Sequence, residues 1–125
     1  MTRTIKISPA DKWFSLYIRA RDGWTCQRCY TYYPDGKRQG LHCSHFHGRA
    51  KYATRYDEQN CEALCYGCHS YLTMHPAEHE ARKRRLLLSA DYDRLLIRAQ
   101  DTKRGRENKR NLAQIAAYYR ERVSK

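Results

Sequence analysis

Two Cys-x-x-Cys pairs are the first residues whose type and spacing indicate chemistry. Cys26 and Cys29 form one pair, and Cys65 and Cys68 form the other. Each pair can bend the backbone so that two thiolates face one ion, and two such pairs together are typical of a tetrahedral Cys₄ zinc site. The sequence therefore predicts a structural Zn²⁺ held by these four residues.

Two further cysteines, Cys43 and Cys61, stand outside these pairs. The simplest interpretation is that both are small buried apolar residues. In a second interpretation, one of them replaces a member of a Cys-x-x-Cys pair as a zinc ligand. A disulfide framework is the third, but the first residues are too polar for a signal peptide, so we expect reduced cysteines and a cytoplasmic location.

The residues between and after the cysteine pairs suggest hydrolysis of a phosphodiester. A histidine on a rigid strand, here His45, can take a proton from water near neutral pH. A divalent metal ion, with His69 as a ligand, would stabilise charge on the phosphate. The amide of Asn60 would fasten the loop around the base. This order of residues, framed by two Cys-x-x-Cys pairs, resembles that of HNH nucleases.

The neighbours of His45 leave the second metal ligand open. Many HNH sites carry Asp or His directly before the base, whereas this chain has Ser44, a weak ligand. His42 and His47 are candidate replacements, and the alternative is that both are polar surface residues or phosphate contacts. Arg49 is a candidate clamp for the scissile phosphate, because a guanidinium group suits phosphate oxygens.

Helix and turn signals place these residues on elements. The Ser8–Pro9 dipeptide predicts a helix start, and Asp22 followed by Gly23 predicts its end. Within that helix Trp13, Leu16, Tyr17 and Ala20 recur at helical spacing. Alternation predicts a strand over residues 41–47, followed by a polar, basic loop over 48–59 and a short helix over 68–73.

Beyond Pro76 the pattern becomes helical, with predicted helices over 76–88, 90–100 and 108–123 and a basic connector over 101–108. We therefore expect an α+β protein in two parts. Residues 1–76 would form a zinc-pinned ββα-metal core of HNH, treble-clef type with an N-terminal helix. Residues 77–125 would form a basic helical extension packed on or beside it.

The composition points to nucleic acid as the partner. The chain has 25 Lys+Arg against 13 Asp+Glu, a net charge of +12, and no apolar run long enough for a membrane span. The C-terminal helices are also a candidate homodimer surface, since cutting both strands benefits from two-fold symmetry. The cations predicted to contact DNA are Lys51, Arg55, Arg82, Lys83, Arg84, Arg85, Lys103, Arg104 and Arg106.

These motifs are similar to those of the phage lambda NinG (Rap) recombination-nuclease family. The resemblance implies a metal-dependent endonuclease that uses Mg²⁺ or Mn²⁺ on branched DNA such as D-loops and Holliday junctions, in a bacterial host cytoplasm if the chain is phage-encoded. The residues that carry it are Cys26-x-x-Cys29, Ser44-His45-Phe46, the segment from Thr54 to Asn60, and Cys65-x-x-Cys68-His69.

Two alternatives remain open from the sequence. One is a zinc-stabilised nucleic-acid-binding module without catalysis, which would have no use for His45 or Asn60. The other is an HNH nuclease that assists phage DNA packaging, which would share the same site and differ in its partners.

Overall fold

A computed structural model describes residues 6–124, which form an α+β structure. The polar N-terminal residues on which the signal-peptide prediction rests lie almost entirely outside this range. In chain order the elements are α1 Pro9–Arg21, β1 Leu41–His45, α2 Tyr52–Arg55, a 3₁₀ helix Glu58–Asn60, β2 Cys61–Cys65, α3 Tyr66–Met74, α4 Pro76–Leu86, α5 Ser89–Ala99, α6 Thr102–Arg110 and α7 Leu112–Val123.

Helix α1 begins and ends where the sequence predicts. At its start the Asp11 carboxylate accepts hydrogen bonds from the backbone N–H of Ser8 at 2.8 Å and from the Ser8 hydroxyl at 3.1 Å. At its end Gly23 adopts a φ of +67°, a left-handed conformation that suits glycine. The predicted apolar stripe is displaced, because Phe14 and Ile18 are the large residues of α1 that are fully buried.

The two strands pair antiparallel, with Leu41 opposite Cys65 at one end and His45 opposite Cys61 at the other. The strand predicted over 41–47 ends at His45. The prediction of a polar basic loop over 48–59 was wrong, because this segment contains α2 and the 3₁₀ helix and residues 53–57 are buried. These buried residues lie against the end of the hairpin that carries His45.

Each end of the hairpin has its own apolar cluster. Near the cysteine pairs, Leu41, Leu64 and Leu72 pack with Ala63, Cys26 and Cys68. The other cluster joins the N-terminal and C-terminal helices, since the rings of Phe14 and Tyr119 lie 5.0 Å apart. The C-terminal helices therefore complete the core at the His45 end of the hairpin.

The prediction of a basic connector over 101–108 was wrong, because most of it lies in α6. This helix has no buried residue of its own and is held by contacts with α2. The Arg104 Nε donates to the Ala53 carbonyl at 3.1 Å, and the Asn108 side chain donates to the Tyr52 carbonyl at 3.0 Å. A Cβ at Gly105 would lie 3.3 Å from the Ala53 nitrogen, so glycine permits this approach.

Candidate metal centre and active-site cleft

The four cysteines of the two pairs come together as a metal-binding cluster. Their sulfur atoms all lie within 4.8 Å of one another, and the sulfurs of Cys29 and Cys65 are 3.7 Å apart. Bonds of about 2.3 Å to a tetrahedral Zn²⁺ place two sulfurs about 3.8 Å apart. The donor set and its spacing therefore fit Zn²⁺, with Cys26, Cys29, Cys65 and Cys68 as ligands.

Hydrogen bonds and burial act in opposite directions on the cysteines of this cluster. Within each pair the backbone N–H of the second cysteine points at the sulfur of the first, at 3.5 Å for Cys26 and 3.4 Å for Cys65. The Arg28 guanidinium donates to the Cys68 sulfur at 3.4 Å. A hydrogen bond with the Thr31 hydroxyl lowers the pKa of Cys29 to about 6, whereas burial raises the pKa of Cys68 to about 12.

Histidines occupy a cleft of about 560 Å³ between α1, β1 and α3. His42, His45, Arg49 and His69 all line it, so residues 27 positions apart in the chain meet in one cavity. The cleft also receives Asp11, Phe14, Ser15 and Arg19 from α1, together with Leu41, Cys43, Gly48 and Thr73. The sequence-predicted base, metal ligand and phosphate clamp therefore lie around a single space.

His45 is fixed through one nitrogen of its ring. Its Nε2 lies 2.9 Å from the backbone carbonyl oxygen of Arg55, so Nε2 carries the proton and donates. Burial lowers the pKa of His45 to about 4, and the nearby guanidinium groups of Arg49 and Arg55 act in the same direction. The ring is therefore neutral at pH 7, with an unprotonated Nδ1 available as an acceptor.

Asn60 holds the segment that connects the two strands. Its side chain is fully buried, and its Oδ1 accepts from the backbone N–H of His47 at 2.7 Å. Its Nδ2 donates to the carbonyls of His47 and Thr54 at 2.9 and 3.0 Å. These three bonds satisfy the side chain's carbonyl and both of its N–H donors, and they clamp both ends of the segment beside the base.

His42 and His69 face each other across the cleft. Their Nδ1 atoms are 3.1 Å apart. Two imidazole nitrogens bound to one ion at 2.0–2.1 Å lie about 2.9 Å apart in octahedral and about 3.3 Å apart in tetrahedral coordination, so this separation suits a shared ion. Burial lowers the pKa of His69, and His42 and Arg49 lower it further, so the ring is held in the neutral form that binds metals. Two imidazole donors suit a first-row transition ion better than Mg²⁺.

Ser44 and His47, which were considered for the second metal ligand, both lie outside the cleft. Ser44 is 2% exposed and does not line the cleft. His47 also lies outside the cleft, packed with its ring centroid 4.8 Å from that of Phe46, because β1 ends before it and the strand alternation stops. Of the two candidate replacements, His42 therefore faces His69 in this cleft and His47 does not.

Arg55 was predicted to bind DNA, and this prediction was wrong. Its side chain is 1% exposed, and its guanidinium donates to both carboxylate oxygens of Asp11 at 2.8 and 3.0 Å. It also donates to the carbonyls of Lys6 at 2.6 Å and Arg49 at 3.2 Å. Arg55 therefore positions the site twice, because its carbonyl orients His45 and its side chain ties α2 to α1.

Neither this role of Arg55 nor that of Asp11 could be predicted from the sequence. In the printed chain Asp11 is an ordinary acid in a first helical turn, and Arg55 is one of many cations. Only the folded chain brings their side chains together across 44 positions.

The other predicted DNA contacts divide into two groups. Lys83 is 3% exposed and its Nζ donates to the Gln59 carbonyl, so the prediction that it contacts DNA was wrong. Arg82 is half-buried and pairs with Glu62 at 2.8 Å, so its charge is already neutralised within the fold. Lys51, Arg106 and Lys109 line a groove beside α6. The predicted cations that remain exposed are Lys51, Arg84, Arg85, Lys103, Arg104 and Arg106.

No protein-family model, curated protein or solved structure matches this chain. Between residues 6 and 124, none of the helices combines the length and apolar composition that a membrane span requires.

Proposed function

We propose that the chain is a metal-dependent DNA endonuclease with a ββα-metal site of HNH, treble-clef type. The observation that carries the proposal is the cleft itself, which combines a neutral, carbonyl-oriented His45 with the facing pair His42 and His69 and the exposed Arg49. The order of a Cys-x-x-Cys turn, an antiparallel hairpin and a helix that begins at the second pair supports the same fold type.

In this proposal His45 is the general base. Its Nδ1 accepts a proton from the attacking water, while the Nε2–H bond to the Arg55 carbonyl holds the ring and stabilises the imidazolium that forms. Asn60 acts through the backbone, because it fixes the segment that carries this carbonyl. It is a positioning residue rather than a catalytic one.

His42 and His69 are the residues that would hold the catalytic ion. When bound, a divalent ion would stabilise negative charge on the phosphate and the leaving oxygen. Arg49 is exposed at the same cleft, where its guanidinium can donate two hydrogen bonds to a nonbridging phosphate oxygen pair. The imidazole donors favour Mn²⁺ over Mg²⁺ in this role.

The substrate in this proposal is branched DNA, which rests on the resemblance to the NinG family. The exposed cations give contacts to phosphates without reading bases, so affinity should depend on salt and on DNA shape more than on sequence.

A cleavage assay tests the proposal. Purified protein would be incubated with a linear duplex, a D-loop and a four-way junction of one sequence, each with Mn²⁺, Mg²⁺ or EDTA. We expect metal-dependent cutting that is faster with Mn²⁺ and prefers the branched DNAs. Equal cutting of the linear duplex would reject the branched preference and favour a packaging or general role. Tight binding without cutting under any metal would overturn the nuclease and favour a binding module.

A further inference from the structure

A second cluster of metal-binding side chains lies at the His45 end of the hairpin. The sulfurs of Cys43 and Cys61 and one ring nitrogen of His45 all lie within 4.8 Å of one another. The three residues share one face of the sheet, since Cys61 pairs directly with His45 and Cys43 is two residues before it. None of these sulfurs belongs to the Cys₄ cluster at the other end.

We propose that Cys43, His45 and Cys61 form a second metal site, selective for soft ions such as Zn²⁺. Tetrahedral bonds of about 2.3 Å to sulfur and 2.0–2.1 Å to nitrogen place the ligand atoms about 3.6–3.8 Å apart. The cluster therefore needs to contract by about 1 Å at most, well within the range of side-chain rotation. As each metal–sulfur bond forms, the thiol releases its proton to water.

The backbone that carries these ligands is held in place. The Arg21 guanidinium donates to the carbonyls of Cys61 and Glu58, both at 2.8 Å. Cys43 and His45 line the cleft, so the ion would have a route from solvent and an open position for water or a phosphate oxygen. With Nε2 of His45 bonded to the Arg55 carbonyl, Nδ1 is the nitrogen left to bind the ion.

A metal ion fits this pair of cysteines better than a disulfide does. Cys43 pairs with Ala63 and Cys61 pairs with His45, so the two cysteines are diagonal neighbours across the strands. Diagonal residues have Cα atoms about 7–8 Å apart, whereas disulfides require about 4.4–6.8 Å. An ion between the sulfurs spans this extra distance without a shift of the backbone.

An ion at this site would occupy the nitrogen that His45 needs as a base. Zn²⁺ would then inhibit cleavage while the Zn²⁺ of the Cys₄ cluster supports the fold. The metal site itself does not depend on the proposed nuclease function. Only the inhibition of cleavage rests on that function.

The test is a titration with Co²⁺ of protein that already carries one equivalent of Zn²⁺. Co²⁺ bound to thiolates gives a charge-transfer absorption that Co²⁺ on imidazoles alone does not. We expect this absorption to saturate at one Co²⁺ per wild-type chain and to be absent from the Cys43→Ser/Cys61→Ser protein. The double variant also reports any exchange of Co²⁺ into the Cys₄ cluster.

Because Cys61 is buried, the single variant Cys43→Ser serves if the double variant does not fold. Its affinity for Co²⁺ should fall at least tenfold. No thiolate absorption in the wild type, or equal absorption in the variants, would overturn the proposal. A Cys43–Cys61 disulfide in air-oxidised protein, with no absorption in reduced protein, would overturn it in favour of a redox pair.

A cleavage assay then tests the inhibition. The Zn²⁺ concentration that halves cutting should rise at least tenfold in Cys43→Ser, each protein being compared with its own zinc-free rate. Unchanged inhibition, despite a confirmed Co²⁺ site, would overturn the inhibitory role alone. Absence of any cutting would count against the nuclease and leave the metal site established by the titration.

Discussion

The two ends of the β1–β2 hairpin are fixed by different chemistry. At one end Leu41 pairs with Cys65 beside the four clustered cysteine sulfurs of the two Cys-x-x-Cys pairs. At the other end His45 pairs with Cys61. There the Asn60 side chain accepts from the His47 N–H at 2.7 Å, and the Arg55 guanidinium donates to the Arg49 carbonyl at 3.2 Å. The first end therefore has a donor set that a Zn²⁺ ion would cross-link, whereas side-chain hydrogen bonds and packing of α1 against α7 hold the second.

Removing zinc from the Cys₄ cluster should reduce the stability of the fold more than any of the substitutions below. Structural Zn²⁺ contributes about 10–16 kcal/mol of apparent binding free energy, more than the stability of an ordinary small domain. We expect a chelator to abolish cooperative thermal unfolding, as followed by circular dichroism, once mass spectrometry shows that the zinc is gone. An unchanged melting curve in zinc-free protein would show that the cysteine cluster does not stabilise the fold.

At the His45 end of the hairpin, Arg55→Ala should lower the free energy of unfolding the most. The substitution leaves the Asp11 carboxylate without its buried partner, a loss that typically costs about 3–5 kcal/mol. Urea unfolding of the zinc-loaded protein measures it. Arg49→Ala is the matched control, because Arg49 is exposed and its loss should change stability by less than about 0.5 kcal/mol. Equal effects of the two substitutions would contradict the positioning role of Arg55.

The low pKa of His45 makes the stability of its end of the hairpin depend on pH. Burial lowers the pKa of His45 to about 4, whereas an unfolded chain protonates histidine near 6.5. The unfolded state therefore binds more protons between these values, and this group lowers the stability of the fold as the pH falls from about 6.5 to 4. We expect ¹⁵N NMR to show a neutral His45 ring protonated at Nε2 at pH 6. An imidazolium spectrum at that pH would contradict the assignment.

Replacing a single surface cation should have the smallest effect, a modest loss of DNA affinity. Lys51→Ala should weaken DNA binding and reduce the slope of log Kd against log salt by about 1, since one phosphate contact is lost. Lys83→Met is a useful comparison, because Lys83 is buried and should affect stability and not the slope. If both variants show the wild-type slope, the groove beside α6 does not contact phosphates.

A structural feature can be predicted from the sequence when the interactions that stabilise it join residues close together in the chain. The Cys-x-x-Cys pairs and the caps of α1 act over a few residues, so spacing alone reveals them. Helix α6 has no apolar stripe and depends on Gly105 and Arg104 meeting α2, so periodicity predicts a connector. Such contacts exist only once the chain has folded.

The candidate site shows the same division. His45, Asn60 and His69 could be proposed from their order between the cysteine pairs, and His42 was an open alternative. The choice of His42 over His47 depends on where β1 ends and on the rotation of α3, neither of which alternation determines. The role of Arg55 depends on its burial against α1, which its charge in the sequence misrepresents.

The most direct test of His45 as the general base is single-turnover cleavage of a four-way junction by His45→Ala, with DNA affinity measured on the same protein. His47→Ala is the matched control, because His47 is two residues away and outside the cleft. If His45 is the base, the Mn²⁺-dependent rate of His45→Ala should fall at least a hundredfold with DNA affinity nearly unchanged, and His47→Ala should cut at a rate close to wild type. Undiminished cutting by His45→Ala, or an equal loss in both variants, would contradict the assignment of His45 as the base.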